Sequence, residues 1–191
     1  MNKVVVIGGP SGSGKDSVAR ALTARFENVE LMVTATTRAM RPGEQDGVNY
    51  HFFTNAQFQD ELAAGNILEY YHRPETDTYY GTYKPDIEAR LARGKVVLAI
   101  LQIVGAKYFK EHYGATTVFI MPPSIEALER RIRGRAPMSD REWEERREFT
   151  ERELREEAPW YDHRVINEEG KLGETVDAIV RLLEGDGYIL E

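Results

Sequence analysis

Apolar runs and amphipathic stretches alternate along most of this chain. Runs rich in β-branched residues predict strands over Val4–Ile7, Lys95–Ile103, Thr116–Met121 and Arg164–Ile166. Apolar residues at helical spacing predict helices over Asp16–Phe26, Lys84–Ala92, Gly105–His112, Ser124–Arg133 and Leu172–Leu183. Buried strands that alternate with helices are typical of a parallel sheet covered by helices. The pattern therefore predicts an α/β fold with a parallel sheet at its core.

Two segments depart from this alternation. Residues 34–83 are rich in Thr, Tyr and Gly, and within them only Asn55–Ala64 has a helical pattern. We expect a small β-rich insertion there. Residues 129–157 mix Arg with Glu and Asp and contain few apolar residues, which is typical of a solvated helix with ion pairs four residues apart. Glu151–Glu157 is accordingly predicted to be solvated surface.

The turn between the first strand and the first helix carries the strongest chemical signal. It reads Gly9-Pro10-Ser11-Gly12-Ser13-Gly14-Lys15-Asp16-Ser17, which meets the pattern G-x-x-x-x-G-K. Its glycines allow backbone N–H groups to surround phosphate oxygens at the positive end of a helix, and Lys15 adds a mobile positive charge. The residue after Lys15 is usually Ser or Thr, but here it is Asp16. We expect this loop to bind a nucleoside triphosphate.

The amino-acid composition further limits the classes of protein to which this chain can belong. A chain of 191 residues predicts one domain, and its net charge of −7 argues against general binding to nucleic acid or to an anionic membrane. The absence of cysteine excludes disulfides, thiolate catalysis and zinc sites built on cysteine. No apolar run is long enough to span a bilayer, and the early first strand leaves no room for a signal peptide. We expect a cytoplasmic protein that is a monomer or a homodimer.

A second candidate phosphate site follows at residues 36–52. Arg38 and Arg41 lie three residues apart and precede a glycine-rich turn and Tyr50. Guanidinium groups bind phosphate oxygens in pairs, and a phenol can donate to the same group. The alternative is a surface hairpin in which these arginines pair with Glu44 and Asp46.

These motifs together resemble guanylate kinase. The resemblance rests on the loop 9–17, on the run T-T-R-x-x-R-x-G-E-x-x-G-x-x-Y at residues 36–50, on Tyr79-Tyr80-Gly81-Thr82, and on the segment from Arg131 to Asn167. It implies transfer of the γ-phosphoryl group of ATP to GMP with Mg²⁺. It also implies one domain with a P-loop core at 1–33, 84–123 and 158–191, a monophosphate-binding subdomain at 34–83 and a lid at 124–157.

The resemblance implies a role for each matching residue. Lys15, Arg38, Arg135 and Arg146 would be catalytic. The ATP site would consist of Gly9, Pro10, Ser11, Gly12, Ser13, Gly14, Lys15, Asp16, Ser17, Arg131, Arg135 and Asn167, with Asn167 near the adenine. The GMP site would consist of Thr34, Arg38, Arg41, Tyr50, Glu69, Tyr80, Thr82 and Gln102, with Glu69 accepting from the donors of guanine.

One strand departs from the family pattern. Where guanylate kinases read L-D-I-D-x-Q-G, residues 99–105 have Ile100 and Gln102 in place of the two aspartates. Gln102 keeps a carbonyl acceptor for the base, whereas Ile100 can do nothing for a metal. Asp16 and Ser17 are then the candidate Mg²⁺ ligands, or Asp16 instead caps the first helix.

Two further functions remain open from the sequence. The first loop also resembles ribose 1,5-bisphosphate phosphokinase, so a related kinase with another acceptor, such as a pentose phosphate, is one alternative. A non-catalytic guanylate-kinase-like binding module is the other, which the missing aspartates favour and the intact phosphate loop opposes. The kinase interpretation requires the two phosphate sites to come close enough for a phosphorus atom to pass between them.

Overall fold

The computed structural model describes residues 3–134 and 137–191, and the chain divides into two compact units. The first unit consists of residues 1–31 and 98–191, and the second of residues 32–97. The strands are β1 (Val4–Gly8), β2 (Val29–Leu31), β3 (Ala35–Thr36), β4 (His51–Phe52), β5 (Ile67–Arg73), β6 (Thr78–Tyr83), β7 (Val96–Ile100), β8 (Thr116–Met121) and β9 (His163–Ile166).

The helices are those that the periodicity predicts, with one addition. They are α1 (Lys15–Arg25), α2 (Asn55–Ala63), α3 (Lys84–Ala92), α4 (Ile103–Tyr113), α5 (Ile125–Arg133), α6 (Asp140–Arg152) and α7 (Leu172–Gly185). A π-helical turn over Glu153–Glu157 and a 3₁₀ turn over Ala158–Trp160 follow α6, and another 3₁₀ turn covers Pro74–Thr76.

The larger sheet has the strand order β2-β7-β1-β8-β9, and β8 pairs in parallel with both β1 and β9. Every residue of β1 is buried, from Val4 to Gly8. A strand covered on both faces cannot alternate apolar and polar residues, which is why this segment is continuously apolar in the sequence. The predicted parallel core is confirmed.

The predicted strand over Lys95–Ile103 is too long. Strand β7 ends at Ile100, and Ile103 already begins α4 with Gln102 at the N-cap position. Apolar residues continue across the strand end into the first helical turn, so the local pattern contains no mark of the boundary. This places Gln102 at the carboxyl end of a sheet strand and at the start of a helix.

The second unit contains a smaller sheet with the order β4-β3-β6-β5. Strand β6 is antiparallel to both β3 and β5. One face covers a small core of Ala35, Phe58 and Ile67. The predicted β-rich insertion is therefore confirmed, with Phe58 from α2 as its buried anchor.

The charged segment after α5 folds as an amphipathic helix. Helix α6 begins at a capping box between Ser139 and Glu142, and it buries Trp143 against Leu128 and Ile132 of α5. Trp143 is thus the residue that anchors α6 to α5. None of the helices in the described part of the chain is long and apolar enough to cross a membrane.

Candidate active site

The glycine-rich loop between β1 and α1 adopts a conformation that depends on its glycines. Gly9, Gly12 and Gly14 have φ angles of 135°, 85° and 100°, which other residues rarely adopt. Helix α1 begins directly afterwards at Lys15, whose Nζ donates to the carbonyls of Gly9 and Pro10 at 2.5 and 2.9 Å. The ammonium group is therefore held over the loop by the loop's own backbone.

Asn167 fixes the loop from the side of β9. Its Nδ2 donates to the Ser13 carbonyl at 2.8 Å, and its Oδ1 accepts from Thr175 Oγ1 at 3.1 Å. A Cβ at Gly14 would lie 2.3 Å from the same Nδ2, so only glycine fits there. Arg131 donates to the Asn167 carbonyl at 2.8 Å, which ties α5 to this contact.

The loop opens into a cavity of about 690 Å³ within the first unit. Its walls come from the phosphate loop, the carboxyl end of β7, helix α6 and the turns that follow α6. They include Gly9, Ser11, Gly12, Lys15, Asp16, Ile100, Leu101, Gln102, Ile132, Glu142, Glu145, Arg146, Phe149, Thr150, Glu153, Glu157 and Tyr161. The carboxyl edge of an open α/β sheet is the usual position of a ligand site.

Burial perturbs the charged groups of this cavity. It lowers the pKa of Lys15, while the negative charges of Glu153 and Asp16 act in the opposite direction. Burial also raises the pKa of Glu153 to about 7, helped by the charge of Glu157 and opposed by Lys15. A partly buried ammonium at a glycine-rich loop is suited to an anionic ligand, and perturbed groups in a cleft are candidates for function.

The second unit holds a separate cluster of arginine and tyrosine. Arg38 donates to both carboxylate oxygens of Glu44 at 2.8 and 3.0 Å, and its guanidinium lies 5.5 Å from the centre of the Tyr50 ring. Tyr80 meets Tyr50 edge to face at 6.1 Å. The backbone N–H of Arg41 also donates to Glu44, at 2.8 Å, whereas the Arg41 residue is exposed.

A half-buried carboxylate lies in the same unit. Glu69 of β5 accepts from Thr82 Oγ1 of β6 at 2.6 Å. Burial raises the pKa of Glu69, and the hydrogen bond from Thr82 opposes this shift. The carboxylate keeps further acceptor capacity, since each oxygen has two lone pairs. It can therefore accept from a ligand that carries two adjacent donors.

Comparison with known proteins identifies the family. The family model described as Guanylate kinase matches residues 1–186. This chain belongs to the guanylate kinase family. It is 39% identical over 184 residues to a guanylate kinase of Gloeobacter violaceus, covering 96% of this chain and 87% of the relative. It is 35% identical over 182 residues to one of Synechocystis sp., covering 95% and 93%.

A solved guanylate kinase structure agrees with this family assignment. The crystal structure of guanylate kinase from Anaplasma phagocytophilum matches with a TM-score of 0.71 at 27% identity, covering 97% of this chain and 86% of that one. The predicted fold class is thereby confirmed along nearly the whole chain.

The structure groups the predicted site residues of this guanylate kinase family member by unit. In the first unit the cavity brings together the loop, Lys15, Asp16, Gln102 and Arg146. Arg131 and Asn167 do not line that cavity, since their contacts are with each other and with the loop backbone. In the second unit Tyr50 and Tyr80 gather around Arg38, and Glu69 contacts Thr82. Arg135 lies outside the described residues.

Three further predicted site residues, Thr34, Ser17 and Ser13, lie outside the groups described above. Thr34 is half-buried, and its carbonyl accepts from the His51 N–H at 2.9 Å. Ser17 is half-buried in the first turn of α1. Ser13 Oγ is buried and has no hydrogen-bond partner in the part of the chain that the structure describes. It lies beneath the loop, 3.1 Å from where a Cβ of Gly9 would be.

The structure bears on two alternatives that the sequence left open. Asp16 does not cap α1, because the N-cap residue is Gly14 and no described side chain caps that helix; Asp16 is exposed in the first turn and lines the cavity. In the second unit Arg38 does pair with Glu44, as the hairpin alternative predicts. Asp46 instead accepts from the Phe52 N–H at 2.8 Å.

Glu153 and Glu157 correct the prediction that Glu151–Glu157 is solvated surface. Both residues line the cavity, and burial raises the pKa of each carboxyl. The spacing carries a usable signal, since Thr150 lies seven residues after Trp143 and both are buried. Glu153 and Glu157 continue that same helical face. The density of charge in the segment obscured the pattern.

Proposed function

We propose that this chain transfers the γ-phosphoryl group of ATP to GMP, forming ADP and GDP. A phosphate oxygen of GMP attacks the γ-phosphorus, and the bond from that phosphorus to the bridging oxygen breaks as ADP leaves. The observation that supports this proposal most is the loop 9–17, in which three left-handed glycines precede Lys15 in a cavity of a guanylate kinase family member.

The first unit supplies the residues for the donor. The backbone N–H groups of the loop and the N-terminus of α1 would hold the phosphate chain, and Lys15 would exchange its bonds to Gly9 and Pro10 for bonds to phosphate. Arg146 lines the same cavity and is exposed on α6. Its guanidinium would neutralise charge on the transferring group, as we also propose for Arg135.

The second unit supplies the residues for the acceptor. Arg38, Arg41, Tyr50 and Tyr80 would bind the phosphate of GMP, with Glu44 holding Arg38 in a fixed orientation. Glu69 would accept from the two adjacent donors of guanine, with Thr82 and Thr34 close to the base. Adenine lacks that pair of donors, so the half-buried carboxylate favours guanine.

Mg²⁺ would be held chiefly by the nucleotide. No group of three or more His, Asp or Glu side chains in the described part of the chain is arranged to hold a metal. The donors available are the exposed carboxylate of Asp16 and the hydroxyl of Ser17, both hard oxygen ligands. These fit an ion that keeps several waters and binds through one or two protein ligands together with phosphates. Mg²⁺ would supply neutralisation of charge on the phosphate chain.

A second acceptor class has a specific observation in its favour. Ile100 and Gln102 line the cavity where the family pattern has aspartates. A pentose phosphate or another nucleotide would accept the phosphoryl group if this wall selects against GMP. We also propose that residues 124–157 act as a lid, that the protein is a monomer or a homodimer, and that it works in the cytoplasm.

An acceptor profile tests these proposals. The purified chain is given ATP and Mg²⁺ with GMP, dGMP, AMP, IMP or a pentose phosphate, and ADP release is measured. Preferred turnover of GMP is the expected result. Efficient turnover of another acceptor without GMP turnover would establish the alternative kinase. Absence of detectable ATP binding, with or without Mg²⁺, would favour a non-catalytic binding module.

A further inference from the structure

Tyr161 is a buried residue whose hydroxyl lies at the phosphate loop. The residue is only 3% exposed, and its ring packs edge to face on Phe119 at 4.9 Å. A Cβ at Gly8 would lie 2.3 Å from the Tyr161 hydroxyl oxygen. The hydroxyl therefore sits where β1 passes into the loop, and glycine at position 8 leaves the space for it.

No hydrogen bond joins the same hydroxyl to another residue within 3–134 and 137–191, and its oxygen is accessible to solvent in the cavity that Lys15 also lines. Tyr188 shows what a structural tyrosine does in this unit. It is also 3% exposed, but its hydroxyl donates to the Val4 carbonyl at 2.6 Å and accepts from the Thr116 N–H at 3.2 Å. The Tyr161 hydroxyl is not used in this way and is available to a ligand that enters the cavity.

The surroundings make this hydroxyl a donor. Burial raises the pKa of Tyr161, and the negative charges of Glu157 and Glu153 act in the same direction. With its pKa raised, the phenol is protonated at neutral pH and has one O–H to donate. Neither carboxylate accepts a hydrogen bond from it. An anionic ligand on the loop would bring oxygen acceptors into the same cavity.

We propose that the Tyr161 hydroxyl donates a hydrogen bond to a phosphate oxygen of the nucleotide held by the loop 9–17. The inference rests on the proposed binding of ATP at that loop, and it adds a phosphate-binding residue that lies outside the glycine-rich motif. It also accounts for two features together: a cavity hydroxyl without a partner among the described residues, and a glycine at position 8, for which no positive φ is needed.

The test removes one oxygen atom from each of two tyrosines. Tyr161→Phe keeps the ring on Phe119 and loses only the hydroxyl, while Tyr188→Phe is the matched control. Titration calorimetry measures the affinity of the whole chain for MgATP, for magnesium tripolyphosphate and for adenosine, and thermal unfolding measures Tm. Tripolyphosphate carries the phosphate chain without the nucleoside, so it reports on phosphate contacts alone.

We expect Tyr161→Phe to weaken MgATP and magnesium tripolyphosphate by the same factor, about tenfold, since a hydrogen bond to a charged group is lost. Its Tm should not fall, because the hydroxyl has no partner in the protein. Tyr188→Phe should lower Tm and leave both affinities unchanged.

Several results would overturn the inference. Unchanged affinities in Tyr161→Phe would do so, and so would weaker MgATP binding with unchanged tripolyphosphate binding, which would place the contact at the nucleoside. A fall in Tm equal to that of Tyr188→Phe would assign the hydroxyl a structural role. Failure of the wild-type chain to bind ATP would instead refute the proposed function, so the two failures are distinguishable.

Discussion

The glycine loop of the first unit and the arginine cluster of the second present positive charge in different ways. Lys15 is partly buried, and its ammonium is held by two carbonyls of the loop. Arg38 is held instead by both oxygens of a carboxylate, Glu44, while Arg41 is exposed. In the proposed function the loop would bind phosphate mainly through backbone N–H groups, whereas the cluster would bind it through side chains, of which Arg38 is held in place by Glu44.

This difference predicts different consequences of mutation. The loop site has one mobile charge, that of Lys15, so removal of this charge should reduce turnover and leave the fold intact. A side-chain site shares its charges with internal partners, so removal of one member also leaves another without its partner. The comparison can be tested residue by residue.

The largest effect is expected for Lys15→Ala. Turnover should fall by about 10³-fold, because the charge that meets the phosphate chain is removed. Tm should not fall, since burial opposes the charge on this lysine, as the lowered pKa shows. The measurements are kcat with saturating ATP and GMP, and Tm. Lys171→Ala is the control, because that lysine is exposed and pairs with Glu168; a large fall in Tm for Lys15→Ala would contradict the comparison.

Arg41→Ala and Arg38→Ala should separate binding from stability. Each should raise KM for GMP, by about 30-fold for a lost charge-assisted bond to phosphate. Only Arg38→Ala should also lower Tm, because it leaves Glu44 without its guanidinium. Arg73→Ala, on β5, serves as a control for the loss of a positive charge. Equal Tm values for Arg38→Ala and Arg41→Ala would show that the Glu44 pair contributes nothing to stability.

Glu69→Gln should alter selectivity more than affinity for phosphate. The amide keeps one oxygen acceptor and loses the charge, so the preference for GMP over IMP and AMP should fall by about tenfold. The ratio of kcat/KM values for the three acceptors measures this, with ATP affinity as the internal control. An unchanged ratio would remove Glu69 from base recognition.

The smallest effect is expected for Glu153→Gln, which should change how the free energy of unfolding depends on pH. The folded chain retains the proton between the ordinary pKa of 4.5 and about 7, so the free energy of unfolding falls as pH rises through that range. The amide cannot ionise, so the variant should be more stable than wild type by about 1–2 kcal/mol at pH 8 and equal to it at pH 4. Unfolding in denaturant at both pH values measures this. Glu145→Gln, an exposed cavity residue paired with Arg141, should show no such dependence.

Much of the site was predictable where a local pattern carries its own chemistry. The loop 9–17 was predictable because glycine spacing and a following helix determine the backbone directions within a few residues. Arg38 and Tyr50 were grouped from their spacing, whereas Tyr80 was added only by the family resemblance, since it lies far from both in the sequence.

Other features were hidden because they depend on contacts between distant segments. The end of β7 at Ile100 was missed, since apolar residues continue into α4. Glu153 and Glu157 were taken as surface because their neighbours are charged, yet the helical face begun by Trp143 brings them into the cavity.

By itself, the sequence determined the α/β class, the phosphate loop and the membership of a kinase family, because periodicity and short motifs act through neighbouring residues. Only the tertiary structure decided that Asp16 lines a cavity without capping its helix, that Arg38 is held by Glu44, and that a free hydroxyl of Tyr161 lies beside Gly8. Burial and partnership are properties of the packed chain, and they set the charge state and the orientation of each group.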